Sequence, residues 1–119
     1  MTPVLRSFDE AKAREFYVDF LGAEVAFTHR HTDDLPLYMG LKLFGAELHI
    51  SEHFGDASPG AHVRILTPGL DDYIARLAAK KYKHARPGPP QEMPWGTKEI
   101  TIADPFGNRL TFWSEASAP

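Results

Sequence analysis

The chain has 119 residues, of which 43% are hydrophobic and 24% are charged. This usage is typical of a globular protein rather than of a disordered segment, and the length suits one domain with a closed core. A formal net charge of −3 gives no basic footprint for nucleic acid, and the lack of cysteine excludes disulfides and thiol chemistry. No stretch resembles a membrane span or a signal peptide, so we predict a cytoplasmic protein without membrane association.

The first half of the chain predicts a strand, a helix and three further strands. In the helix, over 9–21, apolar residues recur at helical spacing between an acidic start at Asp9 and a glycine end at Gly22. The predicted strands are Val4–Phe8, Glu24–His31, Pro36–Leu43 and Glu47–Glu52.

The second half predicts the same order after a turn-rich linker over 54–61. Its helix carries the spaced apolar residues Leu70, Tyr73, Ile74, Leu77 and Ala78. The predicted strands are His62–Thr67, Lys83–Arg86, Lys98–Ala103 and Asn108–Ser114. We predict no regular structure for the proline-rich loop 87–94, since proline removes hydrogen-bond donors and fixes φ.

An internal repeat supports this organisation. The segment FGAELHI over 44–50 reappears as FGNRLTF over 106–112, which is 62 positions later. Each copy is a glycine turn followed by an alternating strand. The sequence therefore predicts an α+β fold of two tandem βαβββ modules in one domain over 1–119, with module one at about 1–53 and module two at about 62–115.

Two motifs resemble the vicinal oxygen chelate superfamily of glyoxalases, bleomycin-resistance proteins and extradiol dioxygenases. The helix AREFYVDFLG over 13–22 is similar to the family's helix, and DPFGN over 104–108 is similar to its C-terminal hairpin. The resemblance implies that the two modules form a cupped mixed sheet.

Within the superfamily, VLRSFD over 4–9 and WGT over 95–97 are most similar to bleomycin-resistance proteins. That subfamily implies a metal-free homodimer that sequesters a cationic antibiotic in intersubunit grooves, with aromatic rings stacked on it. The expected partners are thus a second copy of the chain and a planar or cationic small molecule such as bleomycin, with antibiotic resistance as the role. A dimer would also cover the open sheet edges of a single chain.

The superfamily's enzymes bind one divalent metal through four strand positions. The resemblance carries these positions to Thr2, His49, His62 and Thr111, of which the two histidines alone are competent ligands. We therefore expect no metal, no other cofactor and no catalytic residue. The alternative is a glyoxalase- or fosfomycin-transferase-like enzyme that holds zinc, nickel or manganese with His49 and His62. A third possibility is a dimerisation module that has lost its ligand.

The predicted ligand-binding residues are mostly aromatic or acidic. Trp95 ends the proline-rich loop, where a large ring has little local reason to be buried, so we expect it to anchor a ligand or a subunit. Phe54 is a candidate second wall, and Tyr38 and Trp113 either line the groove or pack in the core. Negative charge for a cation is expected from Glu52, Asp56 and Glu92. His49, His62 and Thr111 complete the set, and the resemblance points both histidines toward one cavity.

Overall fold

The fold is taken from a computed structural model, which describes residues 1–30, 36–53, 55–85 and 87–115. Module one contains β1 (Val4–Arg6), α1 (Glu10–Ala13), a π-helical segment (Arg14–Phe20), β2 (Glu24–His29), β3 (Tyr38–Leu43) and β4 (Ala46–Ser51). Module two contains β5 (His62–Leu66), α2 (Leu70–Ala79), β6 (Gln91–Glu92), β7 (Thr97–Ala103) and β8 (Arg109–Glu115).

The strands form two four-stranded mixed sheets with the same topology. The first sheet has the order β1-β4-β3-β2, and the second has the order β5-β8-β7-β6. In each, the first strand of the module runs parallel to the last one, with Val4 beside His49 and His62 beside Arg109. The predicted α+β fold of two βαβββ modules is therefore confirmed.

The first helical segment begins as predicted but changes its winding. The Asp9 carboxylate accepts a hydrogen bond from the Lys12 amide and caps α1. From Arg14 onward the winding is π-helical, so that the predicted α-helix over 9–21 is only partly correct. A wider turn reduces the angle between successive side chains, and the adjacent rings of Phe16 and Tyr17 are both buried.

The prediction of a strand at Lys83–Arg86 was wrong. Lys83 and His84 form a turn that follows Lys81, a residue with a φ of 51°, and Arg86 lies outside the described residues. The fourth strand of the second sheet is instead Gln91–Glu92, which lies within 87–94, the loop for which we predicted no regular structure. It pairs antiparallel with β7, with Gln91 opposite Glu99 and Glu92 opposite Lys98.

Other strand ends differ from the prediction by one or two residues, the usual uncertainty of element boundaries. The predicted end of β2 at His31 lies outside the described residues. Hairpin β3–β4 turns at Phe44 and Gly45, whose φ values of 53° and 77° are those of a tight two-residue turn.

One hydrophobic core joins the helices to the inner faces of both sheets. The buried rings of Phe16, Tyr17, Phe20 and Tyr73 lie in it, as their helical spacing predicts. Two buried hydrogen bonds connect the modules: Tyr17 Oη donates to Asp104 Oδ2 at 2.5 Å, and Tyr73 Oη donates to the Leu21 carbonyl at 2.7 Å. In the described part of the chain, no helix is both long and apolar enough to cross a membrane.

Side chains alternate along the strands, so each sheet also has a face directed away from this core. The sheet-one face carries Phe27, Tyr38, Gly40 and His49. The sheet-two face carries Arg64, Glu99, Thr111 and Trp113. These two faces contain most of the residues that the sequence singled out for binding.

Candidate ligand-binding site

Three rings form a cluster on the sheet-one face. Phe27 lies nearly parallel to Tyr38, with the ring centroids 6.2 Å apart and the planes inclined by 13°. His49 meets both rings edge-on, at a centroid distance of 5.2 Å from each. Phe27 is 41% exposed, which is high for a phenylalanine on a strand. The cluster is therefore an aromatic surface and not part of the core.

A glycine makes room for this cluster. Gly40 pairs with Phe27 across β2 and β3, and the phenylalanine ring covers its backbone. A Cβ at position 40 would lie 2.7 Å from Cδ1 and 2.8 Å from Cζ of that ring, and closer still to Cε1. Glycine in a strand interior often marks such a close approach, and this is the signal that points to Phe27 in the sequence.

His49 combines one hydrogen bond with one unpaired nitrogen. Its Nδ1 lies 2.7 Å from the Tyr38 hydroxyl. Its Nε2 is buried without a hydrogen-bond partner among the described residues, and the nearest carboxylate oxygen, from Glu47, is 3.6 Å away. A carboxylate on that side favours the tautomer with hydrogen on Nε2, in which Nδ1 accepts the Tyr38 proton. The imidazole thus presents an unused donor.

Acidic side chains lie beside the cluster, but their oxygens are partly in use. Asp56 Oδ2 accepts a hydrogen bond from Ser51 Oγ at 2.7 Å. Burial raises the pKa of the Tyr38 phenol, and the Asp56 carboxylate raises it further. Glu52 Oε1 accepts the Leu37 amide at 2.9 Å, so this side chain braces the start of β3. The Glu47 side chain is 43% exposed, and its carboxylate approaches His49 Nε2 at 3.6 Å, as described above.

Trp95 occupies the sheet-two side at the turn between β6 and β7. It is 65% exposed, yet its indole Nε1 donates to Glu99 Oε2 at 3.3 Å. Glu99 is 4% exposed and also receives Arg64 Nη1 on Oε1 at 3.0 Å and Arg64 Nη2 on Oε2 at 2.5 Å. Thr97 Oγ1 adds a donor at 2.7 Å. The Arg64 hydrogen bonds, followed by those of Thr97 and Trp95, outweigh desolvation and hold the pKa of Glu99 at about 2.

The remaining polar groups of this face form a second chain of contacts. His62 Nε2 lies 2.6 Å from Thr111 Oγ1, which lies 2.8 Å from Thr101 Oγ1. Trp113 is half-buried, with the Arg64 guanidinium carbon 5.9 Å from its ring centroid. Arginine, two indoles and a histidine thus share one surface.

Comparison with known proteins identifies the family. A family model described as a glyoxalase superfamily protein matches residues 1–118. The chain belongs to the glyoxalase superfamily. No curated protein sequence matches it.

Three solved structures show how far the fold similarity extends. A bleomycin-binding protein complexed with bleomycin is 20% identical, with a TM-score of 0.71 and coverage of 97% of each chain. TnmS3, an antibiotic-binding protein from Streptomyces sp. CB03234, is 22% identical with a TM-score of 0.76, over 96% of this chain and 93% of that one. TioX from Micromonospora sp. ML1 is 18% identical with a TM-score of 0.75, over 100% and 98%. At these identities the similarity establishes the fold alone.

The side chains present here do not provide the set of metal ligands found in glyoxalase enzymes. No group of three or more His, Cys, Asp or Glu side chains within the described ranges is placed to hold a metal ion. His49 Nε2 has one carboxylate nearby, while His62 Nε2 is already engaged by the Thr111 hydroxyl. A catalytic divalent ion usually needs three protein ligands. The alternative of a metalloenzyme that uses His49 and His62 therefore lacks a ligand set.

Most of the predicted site residues lie on or beside one of the two sheet faces. Tyr38, His49 and Asp56 lie together beside the first sheet, and Trp95, Trp113, His62 and Thr111 lie on the second. Glu92 pairs with Lys98, opposite the face of Glu99, so it does not accompany Trp95. Phe54 lies outside the described residues. The contacts of His49 and His62 stay within their own sheets, and their convergence on one cavity stays a prediction.

Sequence reasoning missed Phe27, Arg64 and Glu99. Gly40 is a local signal for Phe27, as described above. No local signal exists for the other two, because Arg64 and Glu99 meet only after β5 and β7 have both paired with β8.

Proposed function

We propose that this glyoxalase superfamily member is a metal-free, homodimeric small-molecule-binding protein. It sequesters a planar or cationic ligand against its two aromatic sheet faces at the subunit boundary. The observation that carries this proposal is the exposure of aromatic rings on both faces, with Trp95 65% and Phe27 41% exposed. Exposed aromatic surface that is held in place by neighbours is typical of binding sites.

The polar groups of the sheet-one face support a cationic ligand. Its ring cluster is flanked by the carboxylates of Glu47 and Asp56. A cation over aromatic rings gains from the negative ring faces, and more so where carboxylates are near.

The structural neighbours support an antibiotic as the ligand. One is a bleomycin-binding protein in complex with bleomycin, and another is an antibiotic-binding protein. If the ligand is such an antibiotic, sequestration in the cytoplasm would protect the cell that makes this protein. Expression in a bleomycin-sensitive strain tests this role, and an unchanged minimal inhibitory concentration would exclude it.

A homodimer is proposed because both sheets leave an apolar surface open. Leu66 is 52% exposed on the same face as Trp113, and Trp95 at the β6–β7 turn is 65% exposed. Exposed apolar groups on a sheet face are typically covered by a ligand or a second copy. Light scattering should give twice the 13.3 kDa mass of one chain. A monomer would remove the intersubunit groove from the proposal.

Tryptophan fluorescence during bleomycin titration tests ligand binding directly. The chain has two tryptophans, so Trp113→Phe leaves Trp95 as the single reporter. We expect saturable quenching at micromolar ligand in this variant and none after Trp95→Ala in the wild-type background. The absence of both quenching and a thermal shift would exclude bleomycin as the ligand. Stoichiometric zinc, nickel or manganese in protein purified without chelator would instead favour the metalloenzyme.

A further inference from the structure

Trp95 is mostly exposed, and a side-chain hydrogen bond connects its ring to the second sheet. It lies in a tight turn in which the Met93 amide donates to the Thr97 carbonyl at 2.7 Å and the Gly96 amide donates to the Met93 carbonyl at 3.0 Å. Gly96 has a φ of 93°, which favours glycine. With 65% of the residue exposed, the ring depends mainly on the hydrogen bond from Nε1 to Glu99.

Glu99 is built to receive that bond. Its Oε2 accepts three donors, from Arg64, Thr97 and Trp95, while Oε1 accepts a second nitrogen of Arg64. A carboxylate that is 4% exposed is stable only with such compensation. The Arg64 guanidinium neutralises the charge of Glu99, and both carboxylate oxygens already accept hydrogen bonds. This carboxylate is therefore unsuited to binding a cationic group of a ligand.

Arg64 extends the arrangement to the other tryptophan. It starts on β5 and reaches past β8 to Glu99 on β7. On the way its guanidinium lies 5.9 Å from the centre of the Trp113 ring. The ion pair therefore touches both indoles of the sheet-two face, one through a hydrogen bond and one through its planar cation.

We propose that Glu99 and Arg64 are positioning residues that hold Trp95 and Trp113 as one preformed surface for the planar part of the ligand. The ligand part of this inference rests on the proposed function, but the positioning of the rings does not. Fixing a side chain before binding avoids the ordering cost during binding, so the ion pair raises affinity without contacting the ligand itself.

The first test measures ring mobility without ligand. In the Trp113→Phe background, Glu99→Gln places an amide NH₂ where a carboxylate oxygen now accepts donors, so some of the Arg64, Thr97 and Trp95 bonds must be lost. We expect a larger nanosecond anisotropy decay of Trp95 and roughly twofold faster acrylamide quenching. Arg64→Lys removes the bidentate contact with Glu99 and should also increase the mobility of Trp95. The Arg64 side chain is 44% exposed, so this variant provides the test even if Glu99→Gln fails to fold.

The matched control removes an ion pair to the neighbouring residue of the same strand. Lys98 on β7 bonds to Asp71 at 2.6 Å from the opposite face, so Asp71→Asn removes an ion pair without touching Trp95. It should leave the anisotropy and the quenching unchanged. Equal effects of the control and of Glu99→Gln, or no effect of either Glu99→Gln or Arg64→Lys, would overturn the positioning role.

The second test uses bleomycin with Glu99→Gln and Arg64→Lys in the chain that keeps both tryptophans, because Trp113 belongs to the proposed ligand surface. We expect Glu99→Gln to raise the Kd about 2- to 10-fold, the range that corresponds to ordering one side chain on binding. An unchanged Kd together with increased mobility would overturn the claim that preformation supports binding. If the wild-type protein binds no bleomycin, the proposed ligand fails, while the anisotropy result still decides whether the ion pair positions the ring.

Discussion

Replacement of Gly40 by alanine tests the geometry of the sheet-one face. The new Cβ would lie 2.7–2.8 Å from two atoms of the Phe27 ring, where carbon atoms prefer about 3.5–4.0 Å. The ring is 41% exposed and can swing outward, but it then loses its contacts with Tyr38 and His49. Two aromatic contacts at about 0.5–1.5 kcal/mol each exceed the roughly 0.5–1 kcal/mol that alanine gains over glycine in a strand. We expect a net loss of about 1–2 kcal/mol.

A double-mutant cycle separates this collision from any general effect of alanine. In a Phe27→Ala background the new Cβ has open space, so Gly40→Ala should be neutral or stabilising by about 0.5–1 kcal/mol. The coupling energy between the two positions should therefore be about 2 kcal/mol. Urea denaturation of the four proteins, with unchanged m-values, measures it. The same cost of Gly40→Ala in both backgrounds would refute the contact between this glycine and the Phe27 ring.

Three further predictions concern stability. The pKa of Glu99 is lowered from 4.5 to about 2, so its ionised form stabilises the fold above pH 4.5. This contribution, about 3 kcal/mol, is lost as the pH falls toward 2. In urea denaturation, the free energy of unfolding should therefore fall less between pH 5 and pH 3 for Glu99→Gln than for the wild type. Tyr17→Phe removes the buried hydrogen bond to Asp104 and should lower the free energy of unfolding by about 1–3 kcal/mol in chemical denaturation. An effect below about 0.5 kcal/mol, the lower end for such bonds, would argue against that hydrogen bond. Gly45→Ala introduces strain at a φ of 77° where nothing lies within 4 Å of the new Cβ, so it should lower stability by about 1–2 kcal/mol without altering tryptophan fluorescence.

Most of the fold could be predicted because its signals are local. Alternation over 47–52 and 108–114 predicts strands, which lie at Ala46–Ser51 and Arg109–Glu115, and the glycine turns before them predict hairpins. The repeat of Phe44-Gly45 as Phe106-Gly107 then predicts the second module from the first. The short strand Gln91–Glu92 gives no such signal, because two residues are too few to show a period and form a strand only through pairing with β7.

The candidate site was harder to predict because it depends on pairing between distant strands. Trp95 could be selected from its position after a proline-rich loop, since that argument needs only local sequence. Glu99 is four residues further on and reads as one polar position of an alternating strand. Its role appears only when Arg64, 35 residues away in sequence, is brought across the sheet. Exposed anchors can thus be found locally, whereas the buried groups that hold them cannot.

The inequality of the two modules gives the strongest physical argument about the site. The repeat aligns His49 with Thr111, and in the folded chain each histidine has a hydroxyl partner: His49 has Tyr38, and His62 has Thr111 itself. A metal site requires a free imidazole nitrogen on each ligand and a further donor, usually a carboxylate, to balance the ion. Here Thr111, which supplies no carboxylate, contacts Nε2 of His62, and the carboxylate oxygen near Nε2 of His49, from Glu47, is 3.6 Å away. Because the described residues bring no group of three donors together around either histidine, the arrangement supports the metal-free binding proposed above rather than a bound divalent ion.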